Sequence, residues 1–182
     1  SIGSYVFNNC LGLTGTIELP ETLTSIGSYA FYNCSGLSGA LDLPNSLKTV
    51  SSYAFYGCSG FTGSVVFGEN LTSLGGNLLE GCTGLTGDLT IIGKPNITYA
   101  YSNIFAGTHF EGDLYIGPFF TSLDYLGFDR TKFKGNLTIV GSGQTMIYAD
   151  AFKDFSFEGT LIIQGVSTIN RGAFKNCKLL RL

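Results

Sequence analysis

The chain of 182 residues carries a formal net charge of −3, no basic run and a single histidine. That excludes an electropositive nucleic-acid groove or anionic-membrane patch, and no apolar run approaches the ~20 residues of a membrane span. Hydrophobic residues at 44%, charged residues at only 13% and 26 glycines imply mostly inward-facing positions joined by tight corners.

Residues 1–24 recur almost unchanged as residues 25–48, SIGSYAFYNCSGLSGALDLPNSLK, and more loosely as residues 49–72. This period predicts a solenoid, because one such coil cannot bury its apolar side chains until neighbours stack on it. An aliphatic marker follows the period at Ile2, Ile26, Val50, Leu74, Ala100, Leu123, Ile147 and Ile169. Five residues after each marker, an aromatic slot holds Phe7, Phe31, Phe55, Leu79, Phe105, Phe128, Phe152 and Phe174. The segment IIGKPNIT stretches one interval to 26 residues, and later intervals run 23, 24 and 22. The whole reads as one solenoid over residues 1–182, of about seven and a half coils, and as a piece of a longer chain.

Within each coil, a glycine corner (Gly15, Gly39, Gly63, Gly87, Gly112, Gly135, Gly159) precedes an alternating apolar pair such as Leu41 and Leu43 or Leu89 and Ile91. Alternation predicts a short strand with one face buried. Stacked coils align these strands as a parallel sheet. A second short strand is expected around the marker, after a Pro or Gly turn at Pro20, Pro44 or Gly68. Apolar groups at Ala30, Phe31, Cys34 and Leu37 have spacings that suggest one or two helical turns opposite the sheet. In coils five to seven the corner shortens to Thr108-x-Phe110, Thr131-x-Phe133 and Phe155-x-Phe157, and the larger aromatic is expected to refill the lost volume.

Cys10, Cys34, Cys58 and Cys82 lie 24 residues apart, and Cys177 shares their slot. One cysteine per coil predicts a column of buried free thiols acting as small hydrophobes. With no C-x-x-C and one histidine, His109, metal ligation is not expected.

The assembled motif resembles the BspA-type, or treponemal-type, leucine-rich repeat. Residues 37–58, LSGALDLPNSLKTVSSYAFYGC, carry it with one extra residue before the strand, and the phased A-F-x-x-C element makes it specific. The resemblance implies a right-handed, curved solenoid with a parallel sheet on its concave side. It also implies a surface or secreted protein that binds partners and performs no catalysis.

Outward slots on the strands hold Glu18, Asp42, Val66, Thr90, Tyr115, Thr138 and Ile162. The slot just before each pair holds Asp88 and Asp113 in coils four and five. Stacking would set Glu18 near Asp42 and Asp88 near Asp113. Such acids form a solvated face, a calcium site or an acid–base pair. Tyr5, Tyr29 and Tyr53 share one slot, and Tyr32 and Tyr56 another, predicting aromatic columns that act as packing or as an anchor for protein or sugar. Asn33, Asn70, Asn96 and Asn136 fall in N-x-[ST] triplets, which matter only in a eukaryotic secretory pathway.

No nucleophile elbow or phosphate loop is present, and no cofactor is expected. The expected function is adhesin-like capture of a protein or glycan on the concave sheet. The alternatives are a structural spacer and, further off, a β-helix carbohydrate-active enzyme. Uncapped solenoid ends add an expectation of end-to-end self-association.

Overall fold

The computed structural model describes residues 1–93, 103–117, 126–128 and 132–178, with the backbone of residues 96–97. The expected positions Ala100, Leu123 and Thr131 lie outside these residues.

Strands are numbered in chain order. A four-stranded parallel sheet runs β1 (Ser25–Ile26), β2 (Thr49–Val50), β4 (Ser73–Leu74) and β6 (Asn96–Ile97). Its register steps by 24 residues, Ile26 to Val50 to Leu74, and these three side chains are fully buried. Ile2 joins through a single parallel bridge to Ile26.

The next step corrects the expected register. Leu74 pairs with Ile97 and not with Ala100. The step from Leu74 to Ile97 is 23 residues, so the ladder keeps nearly its earlier spacing across the long interval.

A five-stranded parallel sheet runs β3 (Val65–Phe67), β5 (Leu89–Ile91), β7 (Leu114–Ile116), β8 (Leu137–Ile147) and β9 (Leu161–Ile169). In β3, β5 and β7 both outer residues are buried and the middle one faces out. In coils six and seven the two short strands expected per coil fuse into one long strand, with register shifts after Val140 and Thr145.

The first two coils depart from expectation, because Ile17–Leu19 and Leu41–Leu43 form no strand. Two sequence features account for it. In later coils the residue after the pair donates to the coil before, as Ile92 does to Phe67 and Gly117 to Ile91. Pro44 occupies that place in coil two and has no N–H to give. Ala40 also stands where later coils carry an accepting side chain, a column that begins only at Ser64. Glu18 and Asp42 are accordingly exposed but off the strand ladder.

The opposite side of each coil is a series of tight turns, not the expected helical turns. Tyr29, Phe31 and Asn33 donate their N–H groups to the next coil, at Ser52, Ala54 and Tyr56, over 3.1, 2.8 and 2.7 Å. Between them Ala30, Tyr32 and Cys34 reach back three residues within their own coil. Tyr29 and Asn33 have φ of 57° and 55°, left-handed values that a right-handed helix cannot contain. Half the amides thus pair between coils, extending the inter-coil ladder around the corner.

The core is one column along the axis. Phe7, Phe31 and Phe55 stack at 5.0 and 5.2 Å between centroids, and Phe105 stacks on Phe128 at 4.9 Å. Leu79 fills the intervening slot. Phe110, Phe133 and Phe157 are buried at the shortened corners, as the volume argument requires. All five cysteines are free. Cys34, Cys58 and Cys82 are buried, and each thiol points at the carbonyl of a Phe one coil back, at Phe7, Phe31 and Phe55, over 2.9, 3.0 and 3.1 Å. Burial pushes these thiols up, Cys82 to about 12.

Candidate functional site

Three surfaces collect the residues singled out from the sequence. The first is the outward column of the five-stranded sheet. Val66, Thr90, Tyr115, Thr138 and Ile162 are aligned in register, one per strand. Val66 and Ile162 are exposed and the three between are half-buried. Ile92, also exposed, lies beside Val66 in a shallow cleft with Leu43, Asn45, Gly68 and Glu69. The column carries no charge. Asp42 lies off this ladder, as does Glu18, which lines an apolar hollow at the first coil with Ile2, Phe7 and Leu13.

The second surface is the polar column just before the strands, and its geometry was not foreseen. The backbone N–H of Asp88 donates to Ser64 Oγ at 2.9 Å, and that of Asp113 to Asp88 Oδ1 at 2.7 Å. Asn136 donates to Asp113 Oδ1 at 2.7 Å, and Thr160 to Asn136 Oδ1 at 2.8 Å. Asn136 Nδ2 also donates to both Asp113 oxygens, at 3.1 and 3.0 Å. Each side chain therefore satisfies a backbone amide of the following coil, an amide that would otherwise have no partner at the start of its strand.

The corner glycines make this possible. A Cβ at Gly112 or Gly135 would fall on Asp88 Oδ1 or Asp113 Oδ1. The recurrent Gly-Ser, Gly-Asp and Gly-Asn dipeptides were the signal available in the sequence. Among the described residues no group of three or more His, Cys, Asp or Glu is placed to hold a metal. No buried side-chain nitrogen or oxygen there lacks a partner.

The third surface is aromatic. Tyr5 stacks on Tyr29 at 4.9 Å and Tyr29 on Tyr53 at 4.7 Å, with planes within 4° and 9°. Beside them Tyr32 stacks on Tyr56 at 4.9 Å and 11°. The two columns meet at tilted contacts of 5.3 to 6.5 Å. Tyr5 is exposed and the other four are half-buried. Desolvation, with the neighbouring phenols behind it, pushes Tyr29 up; Glu80 does the same to Tyr56. His109 is half-buried at its corner, its backbone N–H donating to Leu85.

In-register parallel strands repeating every two dozen residues around one apolar column define a leucine-rich-repeat solenoid. The BspA type leucine rich repeat region model matches residues 1–134 and 145–182 in six copies, and the chain belongs to that family. A leucine rich cell surface protein from Faecalibacterium prausnitzii A2-165 is similar in structure, with a TM-score of 0.51 and 19% identity. The likeness covers 98% of this chain but only 62% of that protein, and at such identity it speaks for the fold alone. A leucine-rich repeat protein from Bacteroides ovatus aligns at a TM-score of 0.34 and 15% identity, over 97% of this chain and 68% of that one. No curated protein matches the sequence.

Proposed function

We propose that this chain is a non-catalytic recognition module of a cell-surface or secreted protein, capturing a protein or glycan partner on the outward face of its five-stranded sheet. The observation that carries this reading is the uncharged column Val66–Thr90–Tyr115–Thr138–Ile162, one side chain per coil at strand spacing. Long, shallow surfaces of this kind are what solenoids offer to partners. Exposed Val66, Ile92 and Ile162 favour a protein surface, since apolar patches of this sort gain most from a complementary apolar face. Asp88 and Asp113, engaged with backbone amides, border this face as part of its frame. Surface location is supported by the family.

The test is a screen of the isolated chain against immobilised matrix proteins, cell-surface proteins and glycans. Substituting Val66→Asp, Thr90→Arg and Tyr115→Ala together should abolish whatever saturable binding the parent shows. Binding that survives all three substitutions would remove this face from consideration.

A further inference from the structure

The first slot of the turn series, two residues before the Phe slot, is left-handed in seven coils. It holds Tyr5, Tyr29, Tyr53, Asn77, Asn103, Asp150 and Gly172, with φ between 39° and 77°. Asn, Asp and Gly tolerate that conformation, whereas a bulky side chain there is strained. Three tyrosines therefore occupy a strained position that four other coils fill with the residues suited to it. Core packing does not require them, because those coils bury the neighbouring Leu78, Ile104, Ala151 and Ala173 without a ring in this slot. Stacking at 4.7–4.9 Å returns part of the cost.

Both columns stop at the same coil. After Tyr53 comes Asn77, and after Tyr56 comes Glu80, and the Asn77 amide donates to the Glu80 carboxylate. Tyr53 and Tyr56 thus meet other rings on one side only, and on the other they border an amide–carboxylate pair. Glu80 is near enough to Tyr56 to push its phenol up. No lysine or arginine occurs in residues 5–10, 29–34, 53–58 or 77–82, so an anionic ligand would find no counter-charge. Two aromatic surfaces beside fixed acceptors and donors match the C–H face and hydroxyls of a sugar ring.

We propose that the step formed by Tyr53, Tyr56, Asn77 and Glu80 binds a neutral carbohydrate, on a side of the coil separate from the sheet face. The aromatic rings take the apolar face of a pyranose, and Asn77 and Glu80 take its hydroxyls. The chain has no tryptophan, so its emission comes from ten tyrosines, five of them in these two columns.

The experiment is titration of the whole chain with neutral gluco-, galacto- and manno-oligosaccharides, followed by tyrosine fluorescence and calorimetry. Saturable binding of at least one is expected. Tyr53→Asn, which installs the residue of the next coil in a slot that accepts it, should weaken that binding at least about tenfold with the fold intact by circular dichroism. Tyr56→Ala should do the same, and Tyr115→Ala on the sheet face should leave it unchanged. No saturation with any of the three sugars, binding indifferent to Tyr53→Asn and Tyr56→Ala, or binding lost with Tyr115→Ala would each overturn the assignment. Capture of a protein abolished by Tyr53→Asn, with no sugar bound, would overturn it too.

Discussion

Asp88 Oδ1 accepts the backbone N–H of Asp113 across 2.7 Å, one coil to the next. Two acidic residues that the sequence places side by side are in this way linked through a backbone amide. The amide satisfies one carboxylate, and that carboxylate holds the start of the following strand in register.

Asp113→Ala removes the acceptor for both the backbone and side-chain amides of Asn136. The expected loss is about 1–2 kcal/mol, since the acceptor is charged but solvent-exposed. Asp113→Asn keeps an oxygen in place, as Asn136 itself does for Thr160, and should cost less than about 0.5 kcal/mol. Urea midpoints of the two variants check this; equal losses would show that the side-chain oxygen does not hold the coil.

Gly112→Ala puts a Cβ onto Asp88 Oδ1 and should destabilise by about 1–3 kcal/mol through overpacking. The conflict is with a side chain, so the penalty should shrink when Asp88 is first replaced by Ala. A double-mutant cycle measures it. Strict additivity of the two substitutions would place the strain elsewhere.

The buried thiols set an alkaline limit. A cysteine in the unfolded chain ionises near its ordinary value of 9.0, while burial holds Cys58 and Cys82 well above it, Cys82 at about 12. Above pH 9 the unfolded state therefore binds fewer protons than the folded one. Stability from these groups is fully present below pH 9 and is lost as pH rises toward 12, by about 1.4 kcal/mol per pH unit for each thiol. Cys82→Ala should flatten the fall in unfolding free energy over that window relative to the parent. Parallel curves would mean that the thiol is not shielded.

Phe55 stacks on Phe31 on one side and packs edge-on against Phe61. Phe55→Ala should cost about 3–5 kcal/mol, as expected for an emptied aromatic site in a closed core. Phe55→Leu should cost far less, about 1–1.5 kcal/mol, because Leu79 fills the same slot one coil later. Thermal unfolding distinguishes the two, and similar losses would deny the slots their equivalence.

The period alone determined which residues are axial neighbours. Ile26 over Val50, Phe31 over Phe55, Cys34 over Cys58 and Tyr29 over Tyr53 all follow from repetition, because stacking turns a fixed sequence interval into a fixed translation. Tertiary structure decided what each backbone amide does, and that depends on local φ and on the adjacent coil. Positive φ at Tyr29 and Asn33 sent alternate amides outward and replaced the helix with turns. Pro44 and Ala40 denied coil two its strand, and Ser64, Asp88, Asp113 and Asn136 supplied the acceptors that let the sheet begin. A periodic sequence names the partners; only the chain path shows which hydrogen bonds they exchange.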